Sequence, residues 1–199
     1  MANPISDQCL DVIFREARTY SVWLPKPVSD DVLRAAYDLA KLGPTSANTM
    51  PMRIVFVKSK AAKERLKSLL DGGNVEKTMA APATAIIAYD LQFYEFIPRL
   101  FPQAPGFRDV FAKPESAERT KTHAFRNGTL QGAYFVIAAR SLGLDCGPMS
   151  GFDNAKVDAE FFPDGRYKSN FLINIGYGDP SKLQPRNPRL EFDEACRIA

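Results

Sequence analysis

Apolar residues recur every three or four positions over several stretches of this chain, a spacing typical of helices with one buried face. In the first stretch Ser6 is a candidate N-cap, and the apolar face consists of Leu10, Ile13, Phe14 and Ala17. The same spacing, together with serine caps and glycine stops, predicts further helices over 30–42, 59–70, 125–142 and 155–162.

Glycines after these patterns predict where the helices end, because glycine readily takes the backbone conformation that closes a helix. The stops fall at Gly43, at Gly72-Gly73 and at Gly143. The longest predicted helix would bury the side that carries Leu130, Tyr134, Ile137 and Ala138.

Short runs rich in β-branched residues predict three strands, over 53–58, 83–90 and 171–178. Between them, the aromatic stretch 91–124 is cut into short pieces by prolines, and 144–153 has the composition of turns. Helices interleaved with a few strands indicate an α/β or α+β domain. With 199 residues and no internal repeat, we expect a single domain over 1–199.

Composition narrows the function classes. The net charge is +3 and the basic residues are scattered, so we expect no nucleic-acid partner. The longest apolar stretch, around 79–88, is too short to cross a membrane, and the N-terminus lacks the pattern of a signal peptide. The three cysteines, Cys9, Cys146 and Cys196, are widely spaced, as expected for reduced thiols, so we expect a cytoplasmic protein.

The sequence offers few residues for acid–base or nucleophilic catalysis. His123 is the only histidine, so a metal site of the His/Cys type is not expected and none is assigned. Gly176 and Gly178 lack the third glycine of a dinucleotide fingerprint and are interpreted as a strand end and a turn. If the chain is an enzyme, a cofactor supplies its chemistry, and we assign no catalytic side chain.

Five separated motifs are more informative as a set than individually. They are ARTYSVW (17–23), GPTSANTMP (43–51), NVEK (74–77), GPMSGFD (147–153) and NPRL (187–190). In this order and spacing they resemble the motifs of the nitroreductase family, and the match covers essentially the whole chain. Within that family, GPTSAN, GPMSGFD and LINIGYGD look most like the HadB/RutE branch, a member of which reduces malonic semialdehyde.

The resemblance implies an α+β fold, a mixed sheet flanked by helices, in an interwoven homodimer with two FMN sites at its interface. It also implies that the C-terminal tail, about 179–199, packs on the partner subunit. The expected activity is FMN-dependent oxidoreduction, in which NADH or NADPH is the reductant and hydride passes alternately through flavin N5. The expected acceptor is malonic semialdehyde or a similar small aldehyde; the alternatives are a nitroaromatic or quinone reductase and, in another class, a flavin-binding or flavin-storage protein.

The cofactor-binding residues follow from the matched motifs. Cations and donors for the FMN phosphate are expected from Arg18, Thr19, Ser21 and Arg189. The negative edge of reduced flavin would face Asn74 and Lys77, while small groups around the ring come from Pro44, Thr45, Ser46 and Asn48. A backbone N–H donor near flavin N5 is expected from Met149, Ser150 or Gly151, and Pro148 precedes them in the same cofactor-binding segment.

Several positions depart from the family pattern. The second arginine of the family's R-S-x-R segment is Ser21 here, and the acidic residue of its P-x-E-G turn is Ser150. For the carboxylate of the substrate, the candidate cations are Arg126 and Arg108, with Arg99 as a further possibility. Read without the resemblance, the 43–51 loop is equally explained as a turn between a helix and a strand.

Overall fold

The computed structural model describes residues 3–199, which fold around a four-stranded antiparallel sheet. The strand order is β1-β2-β4-β3, with bounds Met52–Val57 (β1), Ala83–Asp90 (β2), Asp145–Met149 (β3) and Tyr167–Gly176 (β4). A parallel bridge from Thr19 to Cys146 adds the N-terminal segment to the β3 edge. The α+β class and the three predicted strands are confirmed, each strand within a few residues.

The strand β3 corrects the sequence analysis, which interprets 144–153 as turns. Gly147 and Pro148 give this stretch a low strand propensity, but β3 is an edge strand: β4 is its one partner strand, and its other side is bridged at Cys146 alone. A proline is tolerated there because one side of an edge strand needs no partner in the sheet.

Nine helices of the described residues surround the sheet. Their bounds are Asp7–Leu10 (α1), Asp30–Ala40 (α2), Lys60–Lys67 (α3), Gly72–Ala80 (α4), Ile97–Leu100 (α5), Asp109–Ala112 (α6), Ala117–Ser141 (α7), Asn154–Phe161 (α8) and Phe192–Ala195 (α9). The predicted serine caps are confirmed, since the side chains of Ser6, Ser29 and Ser59 accept backbone N–H groups at the starts of α1, α2 and α3.

Helices cover both faces of the sheet, and alternate residues of β2 therefore face different cores. Ile87 packs with α2 and α7 in one cluster, whereas Ile86 packs with α3 and α8 in another. Every residue of β2 is buried as a result. This is the buried strand that the largely apolar run over 83–90 predicts.

The buried side of α7 matches the predicted one only in part: Ala138 is buried as predicted, but Tyr134 and Ile137 are half-buried. Leu130 is 41% exposed, while the side facing the sheet carries small and polar residues, including Gly128 and Gly132. A Cβ on Gly132 would lie 2.6 Å from the ring of Phe171, so the helix packs too close to the sheet for a larger side chain. The helix also begins at Ala117, eight residues before the predicted start.

Two predicted helix ends, those of α2 and α3, are wrong. The helix α2 ends at Ala40, and Gly43 is retained because the ring of Tyr134 occupies the space of a Cβ there. Gly72 opens α4 and does not close α3, which ends at Lys67. By contrast, Gly143 has φ of +77°, as the predicted stop of α7 requires.

The predicted apolar face of the first helix is not buried by this chain. The helix α1 continues into a π-helical turn, Asp11–Arg15, neither segment contains a buried residue, and the side chain of Phe14 is 55% exposed. Val12, Tyr37, Leu39 and Leu42 are also exposed. These apolar side chains form a surface that another chain could cover.

The stretch 91–116, which the sequence pattern leaves without regular structure, folds into short helical turns around an aromatic cluster. Phe93 and Phe111 are buried there, and both rings pack against the imidazole of His123 on α7, with centroids 5.0 and 4.6 Å away. The Nε2 atom of His123 lies 3.0 Å from the hydroxyl of Thr49. This contact joins the cluster to the 43–51 loop, which it helps to hold in place.

Among residues 3–199, no helix combines the length and apolarity needed to cross a membrane. The same residues contain no group of three or more His, Cys, Asp or Glu side chains placed to hold a metal ion. Cys9, Cys146 and Cys196 are free thiols. Burial raises the pKa of Cys146 to about 12, so this thiol is a packing residue rather than a nucleophile.

Lys63 stabilises the end of α4. Its ammonium donates to the backbone oxygens of Thr78, Met79 and Ala81, at 2.8 and 3.3 Å for the first two. Burial lowers the pKa of Lys63 to about 8, so the group is still charged at neutral pH and keeps its donors. It satisfies helix-end carbonyls that have no partner within α4.

We therefore expect Lys63→Met to lower the free energy of unfolding by about 3 kcal/mol, because buried carbonyls lose a charged donor. Urea denaturation at pH 7 measures the effect. The control is Lys67→Met on the same helix, whose ammonium is half exposed and 3.6 Å from Glu64; it should change the free energy by less than about 0.5 kcal/mol. Equal effects of the two substitutions would contradict the capping role.

His123 provides a prediction on pH dependence. Burial, followed by the nearby charges of Arg126 and Arg119, lowers the pKa of His123 below the 6.5 of a free imidazole. The imidazole of the unfolded chain therefore binds a proton more readily than that of the folded chain. As a result, the free energy of unfolding decreases as the pH falls from about 6.5 towards the pKa of folded His123. Since this is the only histidine in the chain, the imidazole NMR resonances report its pKa directly.

We expect this NMR titration to give a pKa below 6.5. His123→Gln should reduce the loss of unfolding free energy between about pH 7.5 and pH 5, because glutamine does not titrate. A pKa above 6.5, or identical pH profiles for the two proteins, would contradict the buried neutral imidazole.

Candidate functional site

The N-terminal segment 18–23 is held against β3 by backbone contacts. Thr19 pairs with Cys146, and Gly147 has no room for a side chain, since a Cβ would lie 2.6 Å from the carbonyl oxygen of Tyr20. The indole N–H of Trp23 donates to the carbonyl of Lys77, at 3.0 Å. The motif 17–23 and the motif 74–77 are therefore brought together beside the same strand.

A cavity of about 530 Å³ opens beside this segment, between residues 14–22, the end of α7 and residues 179–189. We call it the arginine cavity. Arg18, Thr19, Ser21 and Arg189, the four predicted phosphate ligands, all line it. So do three further cations: Arg140, Lys182 and Arg186.

The guanidinium groups in this cavity are held by backbone carbonyls. Arg18 donates to Gln184 at 2.5 Å, and Arg186 donates to Arg15 at 2.6 Å and to Ala17 at 3.1 Å. Asp179, the one carboxylate of the lining, accepts from Ser181 at 2.7 Å. The cavity therefore combines several fixed cations with little negative charge, which suits a phosphate.

The motif 74–77 lies on α4, at the other end of β3. The side-chain amide of Asn74 donates to the carbonyl of Gly151 at 2.7 Å, and the same amide fills the space where Gly151 lacks a Cβ. Because Gly151 has no side chain, the amide of Asn74 can pack directly against the turn after β3. Lys77 is half-buried, and its ammonium has no carboxylate within 4 Å among residues 3–199.

A buried polar network fastens α4 to the sheet. Asn174 of β4 donates to the hydroxyl of Thr78 at 3.1 Å, and its amide oxygen accepts from Thr84 of β2 at 2.8 Å. The turn 148–151 continues β3 directly beyond this point. Met149 and Gly151 thereby contact α4, through Thr78 and Asn74.

The 43–51 loop is strained and tightly anchored. Ala47, Asn48 and Met50 all have positive φ, between 44° and 50°, which is costly for residues other than glycine. The N–H of Ser46 donates to the Asn127 side chain at 2.9 Å, and the Asn48 amide donates to Leu100 at 2.8 Å. Local strain maintained by such anchors is typical of functional loops.

The loop does not, however, meet the other motifs within one chain. It enters β1 at Met52, which is in register with Tyr89, whereas Cys146 is in register with Ile175 and Ala83. The two points are at opposite edges and opposite ends of the sheet. Six residues along β2 and three strand spacings place them roughly 24 Å apart.

The two predicted substrate cations differ in their surroundings. Arg108 is paired with Asp109 at 3.1 Å. Arg126 is exposed on α7 and has no ion pair or hydrogen bond with the described residues. It immediately precedes Asn127, which holds the 43–51 loop at Ser46, so Arg126 is the better placed of the two for a ligand beside that loop.

A second opening, of about 660 Å³, lies between α2, the start of β1 and residues 96–100. We call it the β1 groove. Arg34, Arg53 and Arg99 line it together with the ring of Phe96. Arg53 is paired with the buried Asp90 at 2.5 Å, whereas Arg34 and Arg99 have no carboxylate within 4 Å among the described residues. The groove is therefore cationic and adjoins an unpaired strand edge.

Known proteins resemble this chain in sequence and in fold. Proteins provisionally named NADH dehydrogenase/NAD(P)H nitroreductase are similar over the full length of both chains, with 58% identity in Polynucleobacter asymbioticus and 54% in Rhodopseudomonas palustris. Among solved structures, a provisionally named nitroreductase of Exiguobacterium sibiricum in complex with FMN has a TM-score of 0.85 over both whole chains at 17% identity.

A Streptococcus pneumoniae protein of the nitroreductase family has a similar fold, with a TM-score of 0.79 and 23% identity over 94% of this chain and 98% of that one. Residues 14–177 match the description of the nitroreductase family. That range contains four of the five motifs in full, together with the whole sheet. The chain belongs to the nitroreductase family.

Proposed function

We propose that this protein is an FMN-dependent NAD(P)H oxidoreductase. The observation that carries the proposal is the arrangement along β3, with the arginine cavity at one end and Asn74, Lys77 and the 148–151 turn at the other. From Cys146 to Gly151 the strand and turn span about 17 Å. An elongated ligand with a phosphate at one end suits this arrangement.

The residues fit FMN in chemical terms. When bound, FMN accepts hydride from NADH or NADPH and passes it to an oxidised acceptor. Arg18 and Arg189 would bind the phosphate, and Lys77 would stabilise negative charge that develops on the ring. We also place the protein in the cytoplasm, where its free thiols would stay reduced.

The relatives support this assignment. Those at 54–58% identity carry names that describe NAD(P)H-linked reduction, and the Exiguobacterium structure contains FMN. The nitroreductase name also favours a second candidate function, reduction of nitroaromatics or quinones.

We further propose that two chains form an interwoven homodimer in which each FMN is bound by both. The roughly 24 Å between the 43–51 loop and the segment beside β3 supports this, because one chain cannot bring both motifs to one flavin ring. Exposed apolar side chains on the π-helical turn Asp11–Arg15, on α2 and on α7 supply surface for such an interface; they include Phe14, Leu39 and Leu130.

The C-terminal tail would contribute to that dimer by packing on the partner. Leu190, Phe192 and Ile198 are 70%, 58% and 87% exposed, so the tail buries little of its apolar surface on its own chain. Its acidic residues, Glu191, Asp193 and Glu194, complement the cationic β1 groove. We propose that the tail of one chain occupies the β1 groove of the other.

For the acceptor, we propose malonic semialdehyde or a similar small carboxylated aldehyde, in line with the resemblance to the HadB/RutE branch. The carboxylate would need a cation, and Arg126 is exposed and unpaired among the described residues. The aromatic residues that would favour quinones are less available, since Phe93 and Phe111 pack on each other in a closed cluster.

The cofactor assignment predicts that the purified protein, supplied with FMN, gains a bound-flavin absorption spectrum that bleaches on anaerobic addition of NADH or NADPH. Lys77→Ala should slow the bleaching by about tenfold or more, because a charge that stabilises the reduced ring is lost. Lys67→Ala is the control and should leave the rate unchanged. Flavin binding without any reduction by NAD(P)H would favour a flavin-storage protein instead.

The acceptor assignment predicts that Arg126→Gln raises KM for malonic semialdehyde by about tenfold or more, because a charged hydrogen bond to the carboxylate is lost. The KM for a neutral nitroaromatic should be unaffected by Arg126→Gln. Arg108→Gln should leave the KM for both substrates unchanged. Steady-state kinetics on the three proteins measure these effects. A strong preference of the unmodified enzyme for quinones would contradict the aldehyde assignment.

A further inference from the structure

The arginine cavity contains one cation whose position is fixed by a long helix. Arg140 lies in the last turn of α7, a helix of 25 residues that packs against the sheet. The other cations of the cavity, Arg18, Lys182, Arg186 and Arg189, lie on the N-terminal segment and on the tail. A side chain on a rigid element holds a ligand more precisely than one on a loop.

Arg140 is also incompletely satisfied. One terminal nitrogen, Nη1, donates to the carbonyl of Ile13 at 3.1 Å, but Nε is buried and has no hydrogen-bond partner. It is the one buried side-chain nitrogen or oxygen without a partner among residues 3–199. The other terminal nitrogen, Nη2, has no hydrogen-bond partner among residues 3–199 and is not buried, so it is the donor that an anion in the cavity can reach, whereas the enclosed Nε is not.

Asp145, whose carboxyl senses the charge of Arg140, does not form an ion pair with it. The charge of Arg140 acts on Asp145, where it opposes the effect of burial, which raises the pKa of that carboxyl. However, Asp145 accepts the N–H of Gly178 at 2.8 Å, and none of its oxygens comes within 4 Å of the guanidinium nitrogens. The positive charge of Arg140 is therefore available to an anion in the cavity.

We propose that Arg140 binds a phosphate monoester in the arginine cavity. It would supply there the second guanidinium that the family pattern has at Ser21, which lines the same cavity but carries no charge. The proposal rests on the proposed function, in which that phosphate is the one of FMN. The 2′-phosphate of NADPH has the same chemistry and is the other possible source.

The test compares ligands that differ only in a phosphate. In apoprotein titrations, Arg140→Met should raise the Kd for FMN by about 10- to 100-fold, the usual effect of losing a charged hydrogen bond. The Kd for riboflavin, which lacks the phosphate, should change by less than about twofold. Arg140→Lys retains the charge but lacks the planar guanidinium, so its Kd for FMN should lie between those of the unmodified protein and of Arg140→Met.

The control is Arg119→Met, which removes one charge from the first turn of the same helix and should leave both affinities unchanged. Equal weakening of FMN and riboflavin by Arg140→Met would reveal a merely structural role and overturn the proposal, as would an unchanged FMN affinity in both Arg140 variants. If KM for NADPH alone rises, with NADH and FMN unaffected, the bound phosphate is the one of NADPH.

Failure of the unmodified protein to bind FMN is a distinct result, since it would overturn the proposed function itself. In that case a titration with NADPH against NADH still tests whether Arg140 binds a phosphate monoester. If Arg140→Met changed the Kd values for NADPH and NADH equally, or changed neither, the proposal that Arg140 binds a phosphate monoester would be overturned as well.

Discussion

The pairing of β3 with the edge of the sheet is the interaction on which the candidate site depends. On one side β3 pairs with β4, and on the other it receives Thr19 of the N-terminal segment. Gly147 allows the backbone of that segment to approach the strand directly. Arg18 and Ser21 are thereby fixed beside the end of α7, while the turn after β3 meets α4 at Gly151.

The same sheet separates the site into two parts. Because the strand order is β1-β2-β4-β3, the 43–51 loop enters one corner of the sheet and the arginine cavity adjoins the opposite one. A chain that needs both motifs for one flavin has to take one of them from a second copy. The small residues on the inner side of α7 have a related consequence, since they leave Leu130 and other apolar residues on the outside.

Much of the fold follows from the sequence, because its elements have strong local signals. The run 83–90 is apolar at most positions, and Ser29 and Ser59 cap helices that carry clear apolar faces. The missed strand β3 lacks such a signal, since its Gly147 is required by the close approach of Tyr20, which is distant in sequence. For the same reason periodicity fails on α7, where close packing against the sheet favours glycine over larger apolar residues.

The site shows a similar division. The matched motifs identify Arg18, Asn74, Lys77 and the 43–51 loop, which all have recognisable neighbours in the sequence. Arg140 has none, because it is one arginine in an ordinary helix and becomes a candidate only when α7 is placed beside the arginine cavity. The separation of the loop from the cavity is likewise a property of strand order, which local patterns do not encode.

The central claim, that each flavin site is built from two chains, is tested most directly by complementation. Arg18→Ala removes a cavity ligand, and Ser46→Tyr places a bulky ring on the loop at an exposed position whose side chain forms no hydrogen bond among the described residues. Each variant alone should bind little FMN.

Co-expressed, the two variants should recover about one quarter of the normal FMN sites, because half of the dimers are mixed and each mixed dimer has one intact site. The measurement is the FMN content per chain of the co-purified protein. A content no higher than that of the separate variants, or a monomer that binds one FMN by itself, would contradict the account.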